Sequence, residues 1–387
     1  MIYLDNNATT KIDNAVFEHM AEVMQNDYAN ASSTQHKAGR KSNHHIESAR
    51  NTIAELLGTS PKEIIFTSGA TESINIIIKG VYNRLQSYGN HIITCVTEHN
   101  AVLNSCRQLE RIGAEVTYLP VNHKGQIDLE LLNQSIRPDT ILVCIMSCNN
   151  ETGVLHPIES ISEICKKHST PFFCDMTQSV GKEKINISAI DYACISAHKF
   201  HGPKGIGAIY MKRSNRALQI EPILSGGSQE GSLRPGTYNT PAIVGMAKAL
   251  EIAHLTDRND ILNLRNYLEA ELLRRIPEAY INGRDAARID NTTNILFKYV
   301  RSSLLFTRIP ELALSSGSAC IMGDRDPSHV LTAMQLDNED ALCSVRFSLS
   351  KYTTRNEIDE TINYIEKCVF QLREESPTWM LYKAGLL

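Results

Sequence analysis

Long apolar runs are missing from this sequence of 387 residues. No stretch reaches the roughly 18 consecutive apolar residues that a membrane-spanning helix needs, so we expect no membrane association. The first residues, "MIYLDNNATTK", lack both the basic and the apolar region of a secretory signal. These two absences predict a cytoplasmic protein.

An excess of basic charge is missing as well. Lysine and arginine number 39, aspartate and glutamate number 43, and the formal net charge is −4, with no basic block along the chain. Nucleic-acid-binding proteins usually concentrate positive charge on one surface. We therefore expect no direct nucleic-acid partner.

Closely paired cysteines are the third absence. The ten cysteines include no CxxC pair, so the usual spacing of a structural zinc site does not occur and we predict no metal site. A long intracellular chain rarely depends on disulfides. We expect most of the cysteines to be reduced and to serve as core residues.

What the sequence does contain is an alternation of short apolar runs and helical patterns. Continuous apolar runs predict strands that are buried on both faces. They occur in "EIIFTSG", "HIITCVTEH", "EVTYLPV", "TILVCIMSCNN", "PFFCDM", "YACISAHK" and "GIGAIYMK". Segments such as "TESINIIIKGVYNRLQ" and "IESISEICKKH" lie between them and predict helices. The alternation predicts an α/β fold with a doubly wound, mostly parallel sheet.

The pattern changes after residue 255. Strand-like stretches such as "NTTNILFKYV" and "CSVRFSLS" are separated by amphipathic stretches, and the chain closes with the helical pattern "RNEIDETINYIEKCVFQLREE". We predict a smaller α+β C-terminal domain. Residues 12–255 are assigned to the large domain, and residues 1–11 with 256–387 to the small domain.

Polar residues follow several of the predicted strands. In open α/β sheets, ligands bind at the carboxyl ends of the strands. Ala70 and Thr71 open a predicted helix and suit a phosphate, although an ordinary helix cap explains these small residues equally well. Asp175 follows a run of apolar residues, and a buried acid there needs a partner. The other strand ends carry His99, the polar turn at Asn150, Gln178, and His198 with Lys199.

Lys199 lies in the stretch "SAHKFHGPKGIGA". A buried lysine with a phosphate cradle and an acid fits pyridoxal phosphate, which binds covalently to a lysine and needs an acid beside its pyridine nitrogen. The glycines follow the lysine and lead into a predicted strand rather than a helix, so they do not match the dinucleotide-binding fingerprint. Pyridoxal phosphate is therefore favoured over NAD.

Cys320 differs from the cysteines in predicted strands and helices. Its surroundings, "SSGSACIMGDRDPS", predict an exposed and mobile loop in which a thiolate can form and react. Composition alone leaves open whether Cys320 is a nucleophile or an accidental loop cysteine.

Taken together, these stretches resemble the cysteine desulfurases of the NifS/IscS kind, which are class V, fold-type I pyridoxal-phosphate enzymes. The resemblance runs nearly end to end and is carried by "YLDNNATT", "FTSGATES", "TEHNAVL", "NNETG", "DMTQSVGK", "SAHKFHGPKGIGA", "GGSQEGSLRPGTYN", "SSGSAC" and "VRFSLSKYTT". It implies conversion of L-cysteine to L-alanine, with the sulfur held as a persulfide on an enzyme cysteine and passed to a protein acceptor. Iron–sulfur cluster assembly, tRNA thiolation and DNA phosphorothioation all remain open as destinations.

The resemblance also implies a role for each site residue. Lys199 would bind the cofactor and move the substrate's Cα proton, Cys320 would be the nucleophile, and His99 would stack on the cofactor ring and move protons. Asp175 and Gln178 would contact the cofactor ring, and Asn150 and Arg346 would bind the substrate carboxylate. The residues that would hold the cofactor phosphate are Ala70, Thr71, Ser196, His198 and, across a homodimer interface, Thr237.

Two alternatives and two departures from the family pattern accompany this interpretation. The alternatives are another class V enzyme, such as an aminotransferase or selenocysteine lyase, and an inactive sulfur-relay protein. The presence of both Lys199 and Cys320 argues against the sulfur-relay protein.

Ala31 replaces a proline that is usual in the family. Met176 follows Asp175 where a small residue is usual, and we expect it to shift the cofactor slightly.

Overall fold

The computed structural model describes residues 1–213, 219–316 and 326–386. Its strands are β1 (Ile2–Tyr3), β2 (Ile64–Thr67), β3 (His91–Cys95), β4 (Glu115–Leu119), β5 (Thr140–Cys144), β6 (Phe172–Asp175), β7 (Tyr192–Ser196), β8 (Gly207–Met211), β9 (Ala279–Ile281), β10 (Thr292–Phe297), β11 (Leu312–Ala313) and β12 (Ser344–Ser348).

The helices in the same ranges account for every helical pattern noted in the sequence. They are α1 (Asn14–Asn26), α2 (Lys37–Leu57), α3 (Ala70–Leu85), α4 (Asn100–Glu110), α5 (Leu129–Ser135), α6 (Ile158–Lys167), α7 (Thr240–Leu255), α8 (Asn259–Arg275), α9 (Ser302–Arg308), α10 (His329–Ala333), α11 (Asn338–Leu342), α12 (Arg355–Glu374) and α13 (Pro377–Lys383). Among these described helices, none combines the length and the apolar character needed to cross a membrane.

A seven-stranded sheet forms the centre of the described structure, with the strand order β2-β8-β7-β6-β5-β3-β4. Every adjacent pair from β7 to β4 is parallel, whereas β8 runs antiparallel to both β2 and β7. Helices α1, α2, α6 and α7 contribute to the core on one face, and α3 and α4 to the core on the other. The predicted doubly wound, mostly parallel sheet is confirmed.

Successive residues of the sheet strands enter different hydrophobic cores. Phe172 and Ile93 belong to one core, while their chain neighbours Phe173 and Ile92 belong to the other. Side chains on a strand alternate between the two faces of the sheet, so a strand covered on both sides must be apolar at every position. This explains the continuous apolar runs in the sequence.

The glycines after Lys199 are required by a close approach of two backbones. A Cβ atom at Gly207, the first residue of β8, would lie 2.5 Å from the carbonyl oxygen of Ile195 and 2.7 Å from Cα of Gly69. Gly69 itself has a φ of 150°, which favours glycine. These glycines therefore bring the residues that precede α3 close to the end of β7.

A second, smaller arrangement of strands follows along the chain. Strands β9, β10 and β12 form an antiparallel sheet in the order β12-β10-β9, and β1 pairs in parallel with β11. A third core unites Leu4 from the N-terminal segment with Phe347 of β12 and Ile362 of α12. Short helix α10, by contrast, contributes Val330 to a core of the large sheet. The division of the chain into a large and a small domain, with boundaries at residues 11 and 255, remains a prediction.

Candidate functional site

A cavity of about 940 Å³ opens where β5, β6 and β7 end. The residues that line it come from the strand ends, the start of α3, the N-terminal segment and β12. It brings together most of the residues singled out in the sequence, namely Ala70, Thr71, His99, Asn150, Asp175, Gln178, Ser196, His198, Lys199 and Arg346. This is the position at which an open α/β sheet binds its ligand.

Two of the predicted site residues are not part of this cavity as the structure describes it. Thr237 is exposed on the surface of the single chain and does not line the cavity. Cys320 lies outside the described residues.

Lys199 sits in a short 3-10 turn, Ala197–Lys199, directly after β7. Its Nζ donates hydrogen bonds to the carbonyl oxygens of Asn7, at 2.5 Å, and Ala8, at 2.9 Å. Burial lowers the pKa of the Lys199 ammonium to about 8, and the positive charge of Arg346 adds to this, whereas Asp175 and Asp5 oppose it. Near neutral pH the neutral, nucleophilic amine is therefore a minor form of Lys199, but a far larger fraction than in an ordinary lysine.

Lys199 should react as a neutral amine at a lower pH than an ordinary lysine. Because its pKa is about 8, we expect acetylation of Lys199 by acetic anhydride to reach half its maximal rate near pH 8. Mass spectrometry of peptides from the cofactor-free protein measures this rate, with exposed Lys37 as the internal control. A midpoint near the ordinary lysine value of about 10.4 would contradict the effect of burial on Lys199.

Asp175 is the last residue of β6, and its side chain is buried beneath the cavity. Its Oδ1 accepts hydrogen bonds from the backbone N–H of Thr177, at 2.8 Å, and from the Cys194 thiol, at 3.3 Å. These two donors fix the orientation of the carboxylate. A buried carboxylate held in this way can pair with a cationic ring nitrogen of a ligand.

The start of α3 offers a site for an anion. In the described structure no side chain caps this N-terminus at Gly69, so the N–H groups of its first turn remain available. Glu72 is kept beside this turn by the backbone N–H of Ser68 and by Arg234, whose Nε lies 3.0 Å from Glu72 Oε1. Ser196 and His198 line the cavity as well.

His198 is a neutral side chain at physiological pH. Burial lowers its pKa to about 4, and the neighbouring charges of Lys199 and Lys204 lower it further in the same direction. Its Nδ1 lies 3.1 Å from Thr9 Oγ1. The ring can therefore contribute a hydrogen bond to a bound anion without carrying a charge of its own.

Arg346 is buried in β12 and lines the cavity. Its Nη2 donates to Asp5 Oδ1 at 2.6 Å, and its Nη1 donates to the carbonyl oxygen of Asn150 at 3.0 Å. Its Nε is buried and has no hydrogen-bond partner among the described residues. A ligand carboxylate in the cavity would meet here a fixed positive charge that is shared with Asp5.

Asn7 connects these groups, and sequence reasoning gave it no role. Its carbonyl oxygen accepts from Lys199 and, at 3.0 Å, from Gln178 Nε2. Its side-chain Nδ2 donates to the carbonyl oxygen of Asn150 at 3.1 Å and to Thr292 Oγ1 at 2.9 Å. The paired asparagines in "YLDNNATT" were the only signal for this connection, and their partners lie far along the chain.

His99 precedes α4 and caps it. Its Nδ1 accepts from the backbone N–H of Ala101 at 3.1 Å, and its ring is open to the cavity although protein surrounds it on the other sides. This surrounding protein lowers the pKa of His99, with smaller contributions in the same direction from the charges of Lys199 and His329 and an opposing one from Asp175.

Two buried glutamates beside the cavity were also missed. Glu98 Oε1 accepts from the backbone N–H of Met146 at 2.6 Å, whereas Glu98 Oε2 is buried without a partner in the described ranges. Burial raises the pKa of Glu98 well above its usual value. Glu151 lines the cavity, accepts from Ser328 Oγ at 2.5 Å, and has a pKa that burial raises.

Comparison with known proteins identifies the family. The aminotransferase class-V family model matches residues 2–361. The cysteine desulfurase IscS of Haemophilus influenzae (strain PittGG) is 45% identical, over 100% of this chain and 96% of the relative. The chain belongs to the cysteine desulfurases of the class V aminotransferase family.

Solved structures of class V relatives agree with this assignment. A NifS-like protein matches with a TM-score of 0.87 and 38% identity, over 95% of this chain and 99% of that chain. A structure described as SspA in complex with cysteine matches with a TM-score of 0.82 and 35% identity, over 92% of this chain and 100% of that chain. The resemblance to the NifS/IscS kind noted in the sequence is confirmed.

The other cysteines of this class V enzyme are core residues. All nine that the structure describes are buried and unpaired. Burial raises the pKa of the Cys95, Cys106, Cys148 and Cys165 thiols to about 12. Among the described residues there is also no group of three or more metal-ligating side chains that could hold a metal ion.

The two departures from the family pattern are both buried. Ala31 and Met176 belong to the same core cluster on one face of the large sheet, and Met176 is not among the residues that line the cavity. The larger side chain after Asp175 is therefore accommodated in the core. A small shift of the cofactor by Met176 remains a prediction.

Proposed function

We propose that this cysteine desulfurase binds pyridoxal phosphate in the described cavity, covalently through Lys199, and takes sulfur from L-cysteine to leave L-alanine. The observation that carries the proposal is the meeting in one cavity of a lysine whose pKa is about 8, the buried carboxylate of Asp175 and the fixed guanidinium of Arg346. Each of the three supplies a different part of the chemistry.

The donor set fits this cofactor. The uncapped start of α3, with Ala70 and Thr71, would hold the phosphate together with Ser196 and His198. Asp175 would pair with the protonated ring nitrogen, Gln178 would reach the ring hydroxyl, and His99 would stack on the ring. When bound, the cofactor supplies an electron sink that stabilises negative charge at the substrate carbon.

L-Cysteine would bind beside Arg346 and Asn150, which both line the cavity. Arg346 and Asn150 would bind its carboxylate, which would share the guanidinium with Asp5 or replace it. That SspA, a relative with 35% identity, was solved in complex with cysteine supports this choice of substrate.

The residues of this chain would then act in sequence. The neutral amine of Lys199 removes the Cα proton of the bound amino acid, and the lowered pKa keeps that amine neutral often enough to act as a base. The Cys320 thiolate attacks the substrate sulfur and keeps it as a persulfide. A protein acceptor collects the sulfur for iron–sulfur cluster assembly or for thio-modification of tRNA or DNA, and we propose that this occurs in the cytoplasm.

Absorption spectroscopy combined with product analysis tests the proposal. The purified protein should carry a visible absorption band that sodium borohydride removes, and it should form alanine from L-cysteine in amounts that match the sulfur released. Assays with keto acids and with selenocysteine separate desulfuration from transamination and selenocysteine cleavage. A colourless protein, or alanine that appears only when a keto acid is supplied, would contradict it.

A homodimer completes the proposed site, because Thr237 is exposed on the single chain and would reach the phosphate of the partner's cofactor. Lys199→Ala and Thr237→Asp chains should each be nearly inactive alone. Mixed and refolded together they should regain activity, since one of the two sites in a mixed dimer carries neither change. Sedimentation measures the assembly state, and a fully active monomer or an absence of complementation would contradict the shared site.

A further inference from the structure

A second, smaller cavity lies next to the large cavity at the strand ends. Its volume is about 30 Å³, and Lys199 is the one described residue that lines both cavities. A single water needs about 10 to 15 Å³ of such space. The small cavity therefore has room for one or two waters or for one small ion.

The charged side chains that line the small cavity all have the same sign. They are the cations Lys182, Lys199, Arg258 and Lys351, and no described aspartate or glutamate lines it. His201 also lines it but is neutral near physiological pH, because burial lowers its pKa to about 4. A cavity with walls of low dielectric constant and charges of one sign concentrates ions of the opposite sign.

Two of the four cations have carboxylate partners that lie outside the small cavity. Arg258 donates two hydrogen bonds to Asp290, and Lys351 donates to Asp13 at 2.5 Å. Neither Asp290 nor Asp13 lines the small cavity. These ion pairs reduce the positive charge nearby, but they bring no negatively charged acceptor into the cavity.

Lys182 has no carboxylate partner among the described residues. Its Nζ lies 3.5 Å from Gln178 Oε1, which is long for a hydrogen bond. Burial lowers the pKa of Lys182 to about 7, and the positive charge of Arg258 adds to this. An anion in the small cavity would supply the acceptor and the negative charge that the Lys182 ammonium lacks.

Ser350 offers a second donor to the small cavity. Its Oγ accepts the backbone N–H of Tyr352 at 3.2 Å, and no described residue accepts the hydroxyl hydrogen of Ser350. Lys182, Ser350 and Lys351 are each partly exposed, so solvent ions can reach this part of the molecule.

We propose that the small cavity binds a small monovalent anion such as chloride, held by Lys182 and Ser350 beside Lys199. The inference does not depend on the proposed desulfurase function, because it rests on a cavity outside the large one. Two groups connect the anion to the large cavity, namely Lys199, which lines both, and Gln178, whose amide oxygen faces Lys182. A negative charge here favours the ammonium forms of Lys182 and Lys199.

Bromide tests the position of the site, because this ion can be located by its anomalous scattering. In crystals of the purified protein soaked in sodium bromide, a peak should lie within hydrogen-bonding distance of Lys182 Nζ. It should disappear in Lys182→Met, which keeps the length of the side chain but has no donor. It should persist in the matched control Lys184→Met, since Lys184 is exposed and does not line the cavity. A wild type without the peak, or a peak unchanged in Lys182→Met, would overturn the proposal.

Acetylation of Lys182 by acetic anhydride tests binding in solution. Sodium chloride should slow this reaction at pH 7 by about five- to tenfold and in a saturable manner, because a neighbouring opposite charge shifts a pKa by about one unit or more. Sodium gluconate at equal ionic strength should have little effect, since its anion is too large for the cavity, and exposed Lys37 is the internal control.

The two measurements together decide the question. Equal effects of chloride and gluconate would mean ionic screening alone and would overturn the proposal. A bromide peak without saturable protection of Lys182 would mean binding at crystal concentration only, which overturns it as well. If Lys182→Met does not fold, the wild-type peak and the acetylation rates decide alone. Failure of the proposed desulfurase function would change neither measurement.

Discussion

Lys199→Ala protein should lack a covalently bound cofactor and should form alanine at least about 10³-fold more slowly than the wild type. The variant loses both the amine that binds the cofactor and the base that removes the Cα proton, and the base alone is usually worth about 10²- to 10⁴-fold. Burial lowers the pKa of Lys199 to about 8, and Lys199 lines the large cavity. Burial also lowers the pKa of Lys182, to about 7, but Lys182 is not among the described residues that line the large cavity.

Borohydride reduction of the wild type followed by peptide mapping tests the assignment directly. The adduct should lie on Lys199. Lys204 also lines the cavity, and Lys182 lies 3.5 Å from Gln178 Oε1, so both are informative comparisons. Lys204→Ala should keep the visible band, whereas an adduct on Lys204 or Lys182 would refute the role of Lys199.

The second large effect is expected for Cys320→Ser. This variant should keep the visible band and its response to L-cysteine, because neither requires a thiol, but it should form no persulfide and almost no alanine. The nine described cysteines should not substitute for Cys320, since they are buried and burial raises their pKa values.

Mass spectrometry after incubation with L-cysteine in the absence of reductant measures the persulfide. Cys148→Ser is the matched control, because Cys148 also lines the cavity but has a pKa of about 12. This control should still carry the additional sulfur on Cys320. Undiminished alanine formation by Cys320→Ser would refute the nucleophile while leaving the role of Lys199 untouched.

The fold could be predicted from the sequence because its strands are covered on both faces and are therefore apolar at every position. The position of the cavity followed from the same pattern, since polar residues such as Asp175 and Lys199 come directly after these runs. The antiparallel direction of β8 could not be read in this way. A buried strand has the same composition in either direction.

The residues that sequence reasoning missed act through contacts between distant parts of the chain. Asn7 lies beside Lys199 only because the N-terminal segment pairs with β12 and crosses the end of the large sheet. Glu98 meets the backbone of Met146, and Glu151 meets Ser328, again between residues that are far apart in the sequence. Spacing along the chain contains no information on such contacts.

The buried thiols give the protein a set of built-in reporters of local unfolding. A buried cysteine reacts with an alkylating reagent only while the structure around it is open, so each alkylation rate measures the free energy of one opening. Cys174 lies in the central sheet, Cys106 in α4 and Cys368 in α12, which places reporters in the strand layer, in a covering helix and in the helix near the C-terminus. A comparison of the alkylation rates of these cysteines would thus show which parts of the fold open most easily, without an engineered label.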